Sequence, residues 1–133
     1  MAFKPYNTAD GHIPPWEYLP CSTITPKLGM ALTLSSGQLV IATGTTKPQY
    51  ISAVNRTSAC SSGEIIPVIP LTPDLVLETA LSADGTALNI GDSVTLHGSD
   101  GLRVTATTTN GIFKITGFPE GTKGSGSLVW GKF

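Results

Sequence analysis

Leu28-Gly29-Met30-Ala31-Leu32-Thr33-Leu34, followed by Ser36-Gly37-Gln38-Leu39-Val40-Ile41-Ala42-Thr43, is echoed further along the chain. The echo is Ile90-Gly91-Asp92-Ser93-Val94-Thr95-Leu96, followed by Asp100-Gly101-Leu102-Arg103-Val104-Thr105-Ala106-Thr107. Each copy reads aliphatic-Gly, a β-rich run ending Thr-Leu, a polar turn with Gly, and a second β-rich run. Alternating apolar and β-branched residues on either side of a Gly-bearing turn are the pattern of a β-hairpin. Two such hairpins predict an all-β domain, a small β-barrel or β-sandwich built from two related hairpins. Leu32, Leu34, Leu39, Ile41, Val94, Leu96, Leu102 and Val104 are the expected contributors to one core. Gly37 and Gly101 are expected at positive φ in the turns, where glycine meets no steric penalty.

The rest of the chain extends the β reading. Tyr50-Ile51-Ser52-Ala53-Val54 follows a turn, and Asn55 to Gly63 is a loop of small polar residues. Glu64-Ile65-Ile66-Pro67-Val68-Ile69 is a strand in which Pro67 suits an edge position, because proline has no N–H for a second ladder. Thr72-Pro73 would open a helix well. The alternation of Leu75, Leu77, Thr79 and Leu81 with Val76, Glu78 and Ala80 favours a strand instead. Gly111-Ile112-Phe113-Lys114-Ile115 and Ser127 to Phe133 complete the set, and the apolar last run predicts a C-terminus tied into a sheet.

Residues 1–27 have a different character. Pro5, Pro14, Pro15, Pro20 and Pro26 favour extended chain over helix or central strand. Phe3, Tyr6, Trp16 and Tyr18 are four of the nine Phe, Tyr and Trp residues. The expectation is an extended Pro/aromatic-rich N-terminal arm over 1–27 and a β-domain over 28–133. The arm either packs back on its own domain or reaches a neighbouring molecule. Tyr6, Trp16 and Tyr18 are the candidate partner-binding anchors, since buried aromatics dominate interface energy.

Composition narrows the partners. The 133 residues carry 13% charged side chains, about half the ~25% usual for soluble domains, and a net charge of −1. Eight basic residues scattered singly do not make the basic stripe that nucleic acid requires. No run approaches the ~20 apolar residues of a membrane-spanning helix, and no apolar leader follows Met1. The expected place of synthesis is the cytosol, where Cys21 and Cys60 are free thiols.

Chemistry-bearing residues are sparse. Cys21 and Cys60 lack metal-ligand spacing, and His12 and His97 stand alone. A Cys nucleophile with a distant His base stays open, because such pairs meet in space and not in sequence. Asp84, Asp92 and Asp100 neighbour glycines, as turn residues do. Thr122-Lys123-Gly124-Ser125-Gly126 lacks the order of a phosphate-cradling loop. No catalytic residue, cofactor or metal is expected.

Leu28 to Leu32, Gly37-Gln38-Leu39, Lys47 to Ile51, Ile90 to Leu96, Val104 to Thr108 and Leu128-Val129-Trp130-Gly131-Lys132-Phe133 together resemble the small head decoration (capsid cement) proteins of tailed bacteriophages. That resemblance implies a non-enzymatic structural protein that binds the outer surface of the major capsid lattice and stabilises the head. Its implied partners are the major capsid protein and neighbouring copies of itself, as a homo-oligomer on the capsid, with neither nucleic acid nor membrane involved. The implied location is the virion exterior after synthesis in host cytoplasm. Two alternatives remain: a fibre, tail or adhesion module that binds glycans, and a small Cys-dependent enzyme.

Overall fold

The computed structural model describes residues 2–8, 11 and 15–133, so the expectations for His12 and Pro14 lie outside the described residues. The chain is all-β, with ten strands and no helix among the described residues. The strands are β1 (Lys4–Asn7), β2 (Glu17–Cys21), β3 (Ala31–Ser35), β4 (Gln38–Ile41) and β5 (Tyr50–Ser52). They continue as β6 (Glu64–Pro70), β7 (Val76–Ala80), β8 (Ser93–Val94), β9 (Phe113–Gly117) and β10 (Leu128–Lys132). Strands β2-β4-β3-β5-β6 close into a barrel, while β1-β7-β10-β9-β8 form an open five-stranded sheet.

The first quoted stretch is a two-residue hairpin within the barrel. Ser35 pairs with Gln38, and the intervening Ser36 and Gly37 both have positive φ, 50° and 80°. That is the twist-matched turn geometry that a regular hairpin needs. The second copy is less regular. Its β8 pairs with β9, while Leu96 bridges Val104 and the Thr95 and Thr105 backbones are hydrogen-bonded. Gly101 has a φ of 62°, on the same positive side as Gly37.

The single core expected from the repeats divides into two. Cys21, Met30, Leu32, Leu39, Cys60, Ile66 and Val68 fill the barrel, with Leu19, Ile41, Tyr50 and Leu102 against them. Val94, Leu96, Val104, Leu77, Phe113, Ile115 and Val129 belong to a second cluster, which also takes Ala31, Ala42 and Ile51 from the barrel wall. Barrel strands alternate, so one set of side chains fills the lumen and the other seals one side of the barrel against the sheet. Leu34, at the hairpin end, is left partly exposed. Leu75, Leu77, Thr79 and Leu81 are all buried, as strand alternation predicts.

Residues 1–27 supply strands to both sheets. β1 pairs with β7, and β2 lies along β6 from Glu17–Val68 to Cys21–Glu64. The Phe3 ring is buried against Phe113 and Phe133, with centroids 5.7 and 5.3 Å away. Its N–H donates to the Gly29 carbonyl at 3.0 Å. A Cβ on Gly29 would stand 2.5 Å from the Phe3 carbonyl oxygen, and φ there is 77°, so only glycine lets the N-terminal segment come this close. Pro67, expected at an edge, is instead in β6, which has β2 on one side and β5 on the other.

Phe3→Ala should therefore destabilise the whole domain by about 3–5 kcal/mol, the usual loss for a buried phenylalanine. Equilibrium denaturation followed by far-UV circular dichroism measures it. An unchanged midpoint would mean that Phe3 is no part of the core.

Candidate interaction surface

The three aromatic residues singled out in the sequence fall on two different sheets. Trp16 and Tyr18 accompany β2 on the barrel, whereas Tyr6 belongs to β1 in the open sheet. On the barrel, Leu19, Cys21, Ile66 and Val68 point inward. The alternate residues face out, and Tyr18 stands directly opposite Pro67 while Pro20 stands opposite Ile65. Trp16, Tyr18 and Ile65 are 56%, 66% and 56% exposed. Trp16, Tyr18, Pro20, Ile65 and Pro67 alternate to this outer side and are all uncharged, while Glu17 and Glu64 flank them in sequence on the opposite parity of β2 and β6. Ile65, which no sequence pattern singles out, joins this outer side through cross-strand register alone.

Tyr6 has a different setting. Its ring stacks on Trp130 with centroids 4.3 Å apart and planes 23° from parallel. The Trp130 indole N–H donates to the Glu78 carboxylate at 2.9 Å. Trp130 and Lys4 are both cross-strand partners of Glu78, which places all of these side chains on the outer face of the sheet.

Cys21 and Cys60 meet inside the barrel. The Cys60 N–H donates to Ile24, and the Cys21 carbonyl accepts from Gly63, so the 55–63 loop is tied to the end of β2. Burial, reinforced by the neighbouring Cys60 thiol, pushes the Cys21 thiol from its ordinary 9.0 up to about 12. A thiol held protonated in an apolar lumen is a packing group, because the nucleophile is the thiolate. Arg56 caps this corner through an ion pair with Glu64, which holds the Glu64 carboxyl below its usual range.

The aspartates beside glycines serve their own turns. Asp84 accepts the Thr86 N–H, Asp92 the Asn89 N–H, and Asp100 the Leu102 N–H. Burial opposes ionisation of Asp100, but the Leu102 N–H, Arg103 and His97 outweigh it and leave the pKa lowered. His97 Nδ1 is 3.2 Å from Asp100, and Arg103 is 3.1 Å from the other oxygen. Lys123 donates to the Leu88 carbonyl and lies over the Phe118 ring. An apolar cleft of about 190 Å³ runs between the N-terminal segment and the barrel, lined by Phe3, Pro5, Leu28, Ile51 and Ile69 among others. Among the described residues no group of three His, Cys, Asp or Glu is arranged to hold a metal ion. Among the described residues no helix is long and apolar enough to cross a membrane.

Comparison with protein-family models, with curated proteins and with solved structures finds no significant match.

The thiol chemistry has two expected outcomes. Cys21 should resist a disulfide reagent at neutral pH in folded protein; labelling within seconds would restore a nucleophilic cysteine. Unfolding releases a thiol that ionises near 9.0 from one that ionises near 12. Stability from this group is thus complete below pH 9 and declines toward pH 12. Denaturation series across that range should show a shallower decline in Cys21→Ala than in the wild type.

Proposed function

We propose that this chain is a non-enzymatic structural protein that docks on a larger protein lattice, in the manner of a capsid decoration protein of a tailed phage. The observation that carries this reading is the outer barrel wall of Trp16, Tyr18 and Ile65, backed by Pro20 and Pro67. The β2–β6 ladder fixes the backbone that carries Tyr18, so docking there has side-chain freedom and not backbone freedom to order. Exposed, contiguous apolar surface of this kind marks protein contact sites. The buried, protonated Cys21 supports a structural role for the thiols over the Cys-dependent alternative.

The partner-binding residues of this reading are Trp16 and Tyr18, with Ile65 added. Tyr6 belongs to the other sheet, where it is stacked on Trp130. The lattice contact is expected to be apolar and to change little with salt, since Trp16, Tyr18 and Ile65 carry no charge.

The test is co-sedimentation with phage heads assembled without a decoration protein. Wild-type protein should pellet with the heads, and Trp16→Ala/Tyr18→Ala should bind at least ~30-fold more weakly, the equivalent of roughly 2 kcal/mol for a hot spot. The variant should stay folded, because both side chains lie outside the two cores. Binding of glycans in place of heads, lost in the same variant, would shift the reading to an adhesion module.

A further inference from the structure

We propose that the outer face of the five-stranded sheet is a second docking surface, and that its partner is an acidic polypeptide segment whose carboxylates seat on Lys114, Lys132 and Lys4. The chain has eight basic side chains in all. Among the described residues, four of them are engaged within the protein. Arg56 pairs with Glu64 and Arg103 with Asp100. Lys27 donates to the Arg56 carbonyl and Lys123 to the Leu88 carbonyl. Of the remaining four, Lys47 lies in a loop, and Lys4, Lys114 and Lys132 share one sheet face.

The register sharpens this. Lys132 is the direct cross-strand partner of Lys114, and both flanking residues of Lys114, Phe113 and Ile115, are fully buried. The two ammonium groups therefore emerge side by side on the outer surface. Like charges in this relation destabilise a sheet, and no carboxylate among the described residues pairs with either one. In a protein so poor in charge, an unrelieved lysine pair is a place where an external anion gains most. On the same face Lys4 stands opposite Glu78, but that carboxylate is turned to the Trp130 indole.

The surface favours a polypeptide over the alternatives. It is an open sheet face and no enclosed pocket, which suits an extended segment laid across strands. The Tyr6–Trp130 stack supplies an apolar ridge beside the lysines, against which side chains between the carboxylates can rest. Nucleic acid fits less well, because Glu78 sits within the face and three lysines neutralise few phosphates. This surface is separate from the barrel wall, and the inference stands whether or not the lattice reading does.

The test uses the full chain and a fluorescein-labelled decapeptide of alternating Glu and Gly, read by anisotropy at low salt. Wild-type protein should bind. Lys132→Gln and Lys114→Gln should each weaken binding roughly two- to fivefold, the range for one exposed ion pair. Lys47→Gln, with the same change in net charge, should leave it unchanged. Raising salt from 0.1 M to 1 M, where the screening length falls from ~10 to ~3 Å, should release the peptide. Lys114→Glu should raise the thermal midpoint by roughly 1–4 °C, through an opposite-charge pair with Lys132, and weaken peptide binding further. The proposal is overturned by equal loss in Lys47→Gln and Lys132→Gln, by no binding at low salt, or by tighter binding of ten-nucleotide oligothymidylate than of the peptide.

Discussion

Strand β2 lies antiparallel along β6 through five residue pairs, yet it meets β4 at one residue pair only, Cys21 with Leu39. That single parallel contact is reinforced by Ser22, whose N–H and hydroxyl both donate to the Leu39 carbonyl, at 3.0 and 2.7 Å. Closure of the barrel depends on it. Without the Cys21–Leu39 contact, β4 and β2 would both become edges, and the lumen of Leu32, Leu39, Ile66 and Val68 would open to water. The apolar outer wall rests on the β2–β6 ladder itself, which sets Tyr18 opposite Pro67 and Pro20 opposite Ile65. The buried cysteines take part here as small apolar groups, with Cys60 bringing the 55–63 loop over the end of the lumen.

The prolines explain how a segment that looks unsuited to strands can supply two of them. In a strand, the N–H and C=O of one residue point to the same side. The Phe3 N–H points toward Gly29 and away from β7, so Pro5, two residues on, lacks its donor on the side where β1 has no ladder. Ser22 donates toward β4, so the missing donor of Pro20 also faces β4, beyond the single contact at Cys21. The Pro67 carbonyl accepts from Ala53, just past the end of β5, so its absent N–H falls where that strand has stopped. Each proline sits where no hydrogen bond is forfeited. A proline therefore does not exclude a strand between two others; it excludes a donor on one side at one position.

Those details mark the limit of what sequence patterns reveal. The hairpin from Ala31 to Ile41, the strand at Val76–Ala80 and the last strand at Leu128–Lys132 were legible, because alternation and turn chemistry are local. The all-β class followed from them. The partition of the repeats between two cores was not legible, since inward and outward faces of a barrel wall both read as apolar when a second sheet covers one side. Ala31, Ala42 and Ile51 are buried from outside the barrel, and Leu32 and Leu39 from inside it. The sheet roles of β1 and β2 were hidden for a related reason: their proline signals are local, whereas their partners are distant in the chain. Among candidate site residues, Trp16 and Tyr18 were visible by type, but their separation from Tyr6 and their union with Ile65 are facts of register.

The two faces also differ in the physics of association. The barrel wall offers apolar area with no charge, so its contacts draw on water release, which salt leaves intact or strengthens. The sheet face offers cations that salt screens. Low overall charge makes this contrast sharper, because among the described residues four of the five cations elsewhere are taken up by Glu64, Asp100 and backbone carbonyls. Binding on one face need not disturb the other, since the side chains that line them stand on separate ladders and share no core residue. The two proposed contacts are therefore distinguishable by experiment: ionic strength should loosen only the one on the lysine face.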